Sequence, residues 1–345
     1  MAQLPAREGA PMPTIGDPMK VLIFIQWPVK AWSIPDTQAS ALALQFPDIE
    51  FIRAHTLDEA GRAIADVDAC FTPHLLPDMI ATAPRLRWVH SSAAAVEGLL
   101  PLTELAAAGV TVTNSRGIQA IPIAEHVMGG LLVLSRRFDR TLAAQRERLW
   151  IQNALSDDWP RMLHGQRMTV VGLGTIGREI AKRAHAFGMH VTAVRRHPER
   201  EQPAFVDMVL GADALDEALA GRDIAVVSAP GIASTRGMIG AAQLARLQRG
   251  AILVNIARAG IVDGLAMHAA LASGHLGGAV LDVFEQEPLP ATDPLWTTPN
   301  VVITPHSAGF RASHWDDVLA LFSDNLRRFQ SGASLQNIVD PTVGY

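Results

Sequence analysis

Cysteine is almost missing from this chain: 345 residues contain one, Cys70, inside the apolar run "DACFT". One thiol cannot close an intrachain disulfide, and without a thiol cluster there is no cysteine zinc site, so no metal is expected. Cys70 reads as a buried small hydrophobe, not as a reactive thiol. Surplus charge is also scarce. Lys and Arg number 29 against 34 Asp and Glu, a formal net charge of −5, which gives no broad basic footprint for a nucleic-acid partner. Nor is there an apolar run of the ~20 residues that span a bilayer. The first such run, "VLIFIQWPV", is far shorter, and no membrane partner is expected. Residues 1–19 are rich in Pro and Gly, lack an apolar core, and read as a flexible leader and not a signal peptide. A cytoplasmic location follows from these absences, and no internal repeat of ~20–50 residues recurs.

What the sequence does have is a recurring alternation. Short Val/Ile-rich runs are separated by helix-like stretches, the pattern of parallel α/β units, and the length accommodates two domains. Expected strands in the first third are 21–25, 49–54, 68–72, 86–91 and 110–115. A helical stretch from Ile121 to about Trp150 follows, without Gly or Pro after Gly130, and reads as one long helix linking two domains. A second strand series covers 167–173, 190–194, 223–229, 251–256, 278–283 and 301–305. Residues 314–332, "HWDDVLALFSDNLRRFQSG", read as a terminal helix.

The segment "VVGLGTIGREIAKRAHAFG" places Gly172, Gly174 and Gly177 between a strand and a helix. The first glycine permits the tight turn, the second lets the backbone approach a pyrophosphate, and the third lets helix and strand pack closely. Leu173, Thr175 and Ile176 complete this loop, and the helix N-terminus offers N–H groups to phosphates. Where the second strand ends, such sites commonly carry an acid for a ribose hydroxyl. Here the sequence has Arg195 and Arg196 in "HVTAVRRHPER". A planar guanidinium fork matches a 2′-phosphate, so NADPH is the expected cofactor, with NADH as the alternative. The other reading of these arginines is a solvated surface turn.

Three further strand ends carry polar groups: Arg258 in "AILVNIARAG", Asp282 and then Glu287 in "GAVLDVFEQEPLP", and His306 in "VVITPHSAG". Ligands of open parallel sheets bind beyond the carboxyl ends of strands. Carbonyl reduction by hydride transfer needs a proton donor, and a histidine paired with a carboxylate suits that task. An arginine can hold the carboxylate of an α-keto acid through fork-shaped hydrogen bonds.

These residues together resemble the D-isomer-specific 2-hydroxyacid dehydrogenases, and in particular their glyoxylate/hydroxypyruvate reductase-like members. The resemblance runs from about residue 66 to the C-terminus. It rests on "VVGLGTIG", "VNIARAGIVD", "LDVFEQEPLP" and "ITPHSAG", with "AEHVMGGLLVLSRR" and the tail "NLRRFQSGASLQNIVDPTVGY". It implies two doubly wound parallel-sheet domains, a Rossmann dinucleotide-binding domain (116–308) inserted into a flavodoxin-like substrate domain (20–115 and 309–345). By the same resemblance Arg258, Glu287 and His306 are the catalytic residues, and Asp282 holds the nicotinamide carboxamide. Ala229, Pro230 and Thr235 of "SAPGIASTRGMIG" then neighbour the cofactor. Ala94 and Ala95 of "SSAAAVEG" offer backbone N–H groups to the substrate carboxylate, with Ser92 and His74 nearby; the plainer reading of this stretch is a helix start capped by Ser92. A homodimer, closure of the two domains and a D-2-hydroxy acid product are implied as well.

Alanine replaces the family's usual glycine at Ala259, after the arginine, and at Ala95, where it puts a methyl group into the carboxylate loop. Glutamate at Glu287, where glutamine would mark the formate dehydrogenase branch, argues against that branch. Two other functions stay compatible with the residues. One is a dinucleotide-sensing co-repressor-like binding protein, and the other a phosphite-type dehydrogenase of the same fold.

Overall fold

The structure, a computed structural model, describes residues 18–96, 98–342 and 344. The expected leader therefore lies outside the described residues except for its last two positions, and Met19 already opens the first strand. Two compact units emerge, Met1–Ile118 with Arg311–Tyr345, and Gln119–Phe310.

The first unit holds β1 (Met19–Ile23), β2 (Ile49–Arg53), β3 (Ala69–Phe71), β4 (Trp88–Ser91) and β5 (Thr111–Asn114) in one sheet of order β2-β1-β3-β4-β5. Every pairing is parallel. This is the flavodoxin-like order. β3 and β4 are buried throughout, as expected of strands covered on both faces. The C-terminal helix His314–Ser331 brings Phe322 onto the sheet, stacked on Phe71 at 4.1 Å between ring centroids. Gly332 ends that helix in the left-handed conformation (φ 70°), for which a residue without Cβ is suited.

The second unit holds β6 (Arg167–Val171), β7 (His190–Val194), β8 (Met208–Leu210), β9 (Ile224–Val227), β10 (Ala251–Asn255), β11 (Leu276–Leu281) and β12 (Val301–Ile303). Their order is β12-β11-β10-β9-β6-β7-β8, again all parallel. The chain winds one way from β6 to β8 and the other way from β9 to β12. The reversal lies between β6 and β9, the place where such sheets open a crevice for a ligand. Both units are thus doubly wound, with the Rossmann-type sheet inserted in sequence into the flavodoxin-like one. β8 was not expected; three residues at a sheet edge show too little periodicity to stand out.

The long linking helix is corrected by the structure. The helix Ala120–Ser135 is followed by Arg137 in a left-handed conformation (φ 58°), and a second helix starts at Phe138. Arg137 is held there by an ion pair to Asp158 at 2.6 Å. No Gly or Pro marks the break, so the one-dimensional pattern runs straight through it. Both pieces belong to the second unit. At Gly130 a Cβ would lie 2.5 Å from Val280 Cγ1, so the first helix sits tight on β11. Its residues Ala124, Val127 and Leu131 share a core with Ile180, Ala181 and Ala184 of the helix Thr175–Ala186.

Candidate active site

The glycine loop runs from the end of β6 into the helix Thr175–Ala186, with Leu173, Thr175 and Ile176 between and after the glycines. Gly172 adopts φ 105°, and a Cβ there would lie 2.6 Å from the backbone nitrogen of Ala229. At Gly177 a Cβ would lie 2.0 Å from the carbonyl oxygen of Gly172, so the helix closes directly onto the turn. Ser228 Oγ donates to that same carbonyl at 2.7 Å. Gly174 differs from both, since a Cβ there meets nothing within 4 Å. It precedes the helix without a side-chain cap, leaving the first-turn N–H groups to a ligand. Two glycines are therefore required by packing, and the third keeps open space in front of uncapped donors. This cradle fits a dinucleotide pyrophosphate.

Arg195 and Arg196 follow β7 directly. The Arg195 N–H bonds Leu210 O at 3.0 Å, tying the turn to β8. Its guanidinium Nη2 donates to the carbonyls of Pro198, Arg200 and Glu201, so Arg195 organises the 198–201 loop from within. Arg195 Nε is buried without a hydrogen-bond partner, while Arg196 is exposed. On the neighbouring edge, Thr235 Oγ1 donates to Pro230 O at 2.6 Å and accepts from the Ile232 N–H at 3.0 Å, which fixes the 229–235 loop beyond β9.

Arg258 is exposed three residues after Asn255, the last residue of β10. Its Nη1 donates to Ala257 O at 2.7 Å, and its own carbonyl accepts from Asn255 Nδ2 at 3.1 Å. A Cβ at Gly231 would lie 2.5 Å from Arg258 Cγ, so the arginine stem packs on the 229–235 loop.

His306 and Glu287 are 19 residues apart in sequence and meet at 2.7 Å between Nδ1 and Oε2. The other oxygen of Glu287 accepts the Phe284 N–H at 3.0 Å. One carboxylate thus anchors to backbone and orients the imidazole, fixing which ring nitrogen faces the acid. His306 stands in the left-handed region at φ 51°, costly for a residue with a Cβ unless its surroundings hold it there. Asp282 supplies that hold. It is 2% exposed, and it accepts the N–H groups of Ser307 at 2.9 Å and Ala308 at 3.0 Å together with the Thr304 hydroxyl at 2.6 Å. The residue expected to hold the nicotinamide carboxamide is therefore engaged, through both oxygens, by the turn that carries His306. Two residues not singled out from the sequence join it: Thr304 Oγ1 lies 3.1 Å from Nε2 of His126, on the helix Ala120–Ser135.

In the first unit, Ser92, Ala94 and Ala95 follow β4 in an irregular stretch. No helix starts there, which corrects the capping reading of Ser92; the next helix is Leu102–Ala107. The stretch is held to the end of β5 by Asn114 Nδ2 donating to Ala94 O at 2.7 Å and by the Ser115 N–H donating to Ala93 O at 3.1 Å. Beneath it runs a chain of neutral hydrogen bonds. Trp88 Nε1 donates to Thr113 Oγ1 at 2.9 Å, whose own proton then goes to Nδ1 of His90 at 2.7 Å. His90 Nε2 donates to Ser115 Oγ at 3.3 Å, and that hydroxyl donates to Ser91 O at 2.8 Å. Complete burial pushes the His90 pKa down to about 3, so the ring is neutral. His74 follows β3, its ring 4.9 Å from that of Phe24, and burial lowers its pKa as well.

The fold and these strand ends define a two-domain, parallel-sheet dehydrogenase with a dinucleotide cradle in its second unit. Residues 128–308 match the family model "D-isomer specific 2-hydroxyacid dehydrogenase, NAD binding domain". A glyoxylate reductase of Korarchaeum cryptofilum is 32% identical over 292 residues, 81% of this chain and 85% of its own. Among solved structures, a D-isomer specific 2-hydroxyacid dehydrogenase of Xanthobacter autotrophicus in complex with NADPH and MES is 31% identical with a TM-score of 0.77, covering 94% of this chain and 99% of that one. An NADPH-dependent glyoxylate/hydroxypyruvate reductase of Sinorhizobium meliloti, in complex with NADP and sulfate, is 28% identical with a TM-score of 0.79, covering 95% and 100%. The chain belongs to the D-isomer specific 2-hydroxyacid dehydrogenase family and is a nicotinamide-dinucleotide-dependent enzyme of that class.

Proposed function

We propose that this enzyme reduces small 2-keto acids, glyoxylate and hydroxypyruvate among them, to D-2-hydroxy acids, with NADPH preferred over NADH. The observation that carries the reading is the 2.7 Å contact between His306 and Glu287 at the end of β12. With Nδ1 held by the Glu287 carboxylate, the proton passed to the nascent alkoxide comes from Nε2. Arg258, charged at every working pH, polarises the carbonyl and grips the neighbouring carboxylate. Ala94 and Ala95 contribute backbone N–H groups to that carboxylate, and Ser92 and His74 belong to the same strand ends of the first unit. When bound, the dinucleotide supplies the hydride. Gly172 to Gly177 would hold its pyrophosphate, and Ala229, Pro230 and Thr235 would flank it. Arg195 shapes the loop after β7, so that Arg196 and the remaining edge of Arg195 meet an adenosine 2′-phosphate. The names of the relatives support the substrate class, and the NADP-bound and NADPH-bound neighbours support the cofactor. Homodimerisation accompanies this reading through the family resemblance, and a cytoplasmic location is proposed with it.

A panel of 2-keto acids, assayed with NADPH and NADH in parallel, tests it. Multiple turnover on glyoxylate or hydroxypyruvate is expected, with a higher kcat/KM for NADPH. Arg195→Asp and Arg196→Asp should each shift the NADPH:NADH ratio by about tenfold or more, the worth of a charge-assisted phosphate contact. An unchanged ratio in both variants returns the arginines to a surface turn. Absence of keto-acid turnover alongside oxidation of phosphite would replace the reaction altogether.

A further inference from the structure

His306 owes its position to a turn, and the turn is braced from the helix Ala120–Ser135. The Thr304 hydroxyl has one proton. Its neighbours are Asp282 Oδ1 at 2.6 Å and Leu281 O at 3.4 Å, and the shorter contact to a charged acceptor takes it. Toward His126 Nε2, at 3.1 Å, Thr304 is then the acceptor, which requires the proton of that imidazole to sit on Nε2. The chain runs in one direction: His126 Nε2–H to Thr304, and Thr304 O–H to Asp282. Asp282 in turn receives the N–H groups of Ser307 and Ala308, the two residues that follow His306. The His306 N–H itself returns to Thr304 O at 3.0 Å, closing a tight loop around a φ of 51°.

We infer that His126 and Thr304 are positioning residues for the His306 acid, acting through the Asp282 carboxylate. The inference rests on the proposed role of His306. Asp282 is buried, and among the described residues its carboxylate is met by the Thr304, Ser307 and Ala308 donors, so each donor sets where the carboxylate sits. Removing the Thr304 hydroxyl lets Asp282 relax away from Ser307 and Ala308 and leaves the Nε2–H of His126 without its acceptor. The left-handed backbone at His306 then loses what holds it. A displacement of about 1 Å at a reacting group can cost roughly a hundredfold in rate. His126 acts on the turn through its Nε2–H.

The experiment compares Thr304→Val with Thr304→Ser, and His126→Leu with His126→Gln, in the full-length enzyme with NADPH and glyoxylate. Val matches the shape of Thr without the hydroxyl, and Gln replaces the N–H donor at similar reach. Thr304→Val and His126→Leu are expected to lower kcat by about 10–100-fold with KM changed less than about threefold, while Ser and Gln restore most of it. Amide hydrogen exchange of Ser307 and Ala308, read without turnover, should quicken in Thr304→Val and His126→Leu and stay slow in their conservative counterparts. That readout separates the brace from the chemistry. If His306→Ala proves the proton-donor reading wrong, the exchange pattern still decides whether His126 and Thr304 hold the turn. Unchanged kcat and unchanged protection in Thr304→Val overturn the inference, as does a loss of activity in His126→Gln equal to that in His126→Leu. Should Thr304→Val fail to fold, the His126 pair carries the same comparison alone.

Discussion

The two units of this enzyme share a plan and differ in what they place at its working edge. Each is a parallel doubly wound sheet whose strands end in loops. In the second unit those ends carry Arg258, Asp282, and His306 with its partner Glu287. In the first, the end of β4 carries Ser92 and alanines, over a neutral hydrogen-bond chain through His90. After β4 the side chains are small and neutral, so what that stretch can offer a ligand is mainly its backbone. On the proposed function one parallel sheet serves the reaction through its side chains and the other through its peptide groups, and the second kind of service leaves almost no mark in the residue types.

The largest effect should come from the charged edge. His306→Ala is expected to lower kcat by about 10²–10⁴-fold, the usual worth of a general acid, and Arg258→Ala to lower kcat/KM by about a hundredfold or more. Circular dichroism should show both variants folded. Normal keto-acid turnover in His306→Ala would erase the contrast between the units.

Next come the glycines, which sharpen it. At Gly177 an added methyl collides with the Gly172 carbonyl and should destabilise the protein by about 1–3 kcal/mol. At Gly174 the methyl enters open space, so Gly174→Ala should stay within about 0.5 kcal/mol of the parent while binding the dinucleotide at least roughly tenfold more weakly. Urea unfolding and NADPH titration separate the two. Equal stability losses at both positions would mean that Gly174 serves packing and not the ligand.

The smallest effect belongs to the first unit and appears only in acid. His90 is neutral when folded, with a pKa of about 3, against about 6.5 in an unfolded chain. Between those values the unfolded state binds the additional proton, so stability is full above about pH 6.5 and declines as the pH falls toward 3. At pH 5 the loss should be on the order of 1–2 kcal/mol. His90→Asn should flatten that slope, measured as urea midpoint against pH; an unaltered slope would mean that His90 does not report the acid sensitivity of this unit.

The same contrast explains what could be read from the residues alone. A strand such as "AILVN" announced itself because every position is buried and all but the last are apolar. The glycine loop and the pairing of His306 with Glu287 were legible because glycine and charge at strand ends have few other uses. The break at Arg137 was not, since a left-handed arginine held by Asp158 is a tertiary fact. β8 was too short to show a period. Thr304 looked like any strand residue and His126 like any polar residue on a helix, because their roles exist only once Asp282 is brought between β11 and the turn. The 92–95 stretch was placed by resemblance, not by chemistry of its own side chains.

Cys70 has a practical consequence. It lies on β3 with no exposed surface, and burial raises its thiol pKa well above the ordinary range, so the thiolate that alkylating reagents attack is scarcely populated. The native enzyme should therefore behave as a cysteine-free background. One cysteine introduced on each unit would take a fluorophore or spin label selectively, and the distance between the two labels could then be followed as substrate is added, with no prior removal of native thiols.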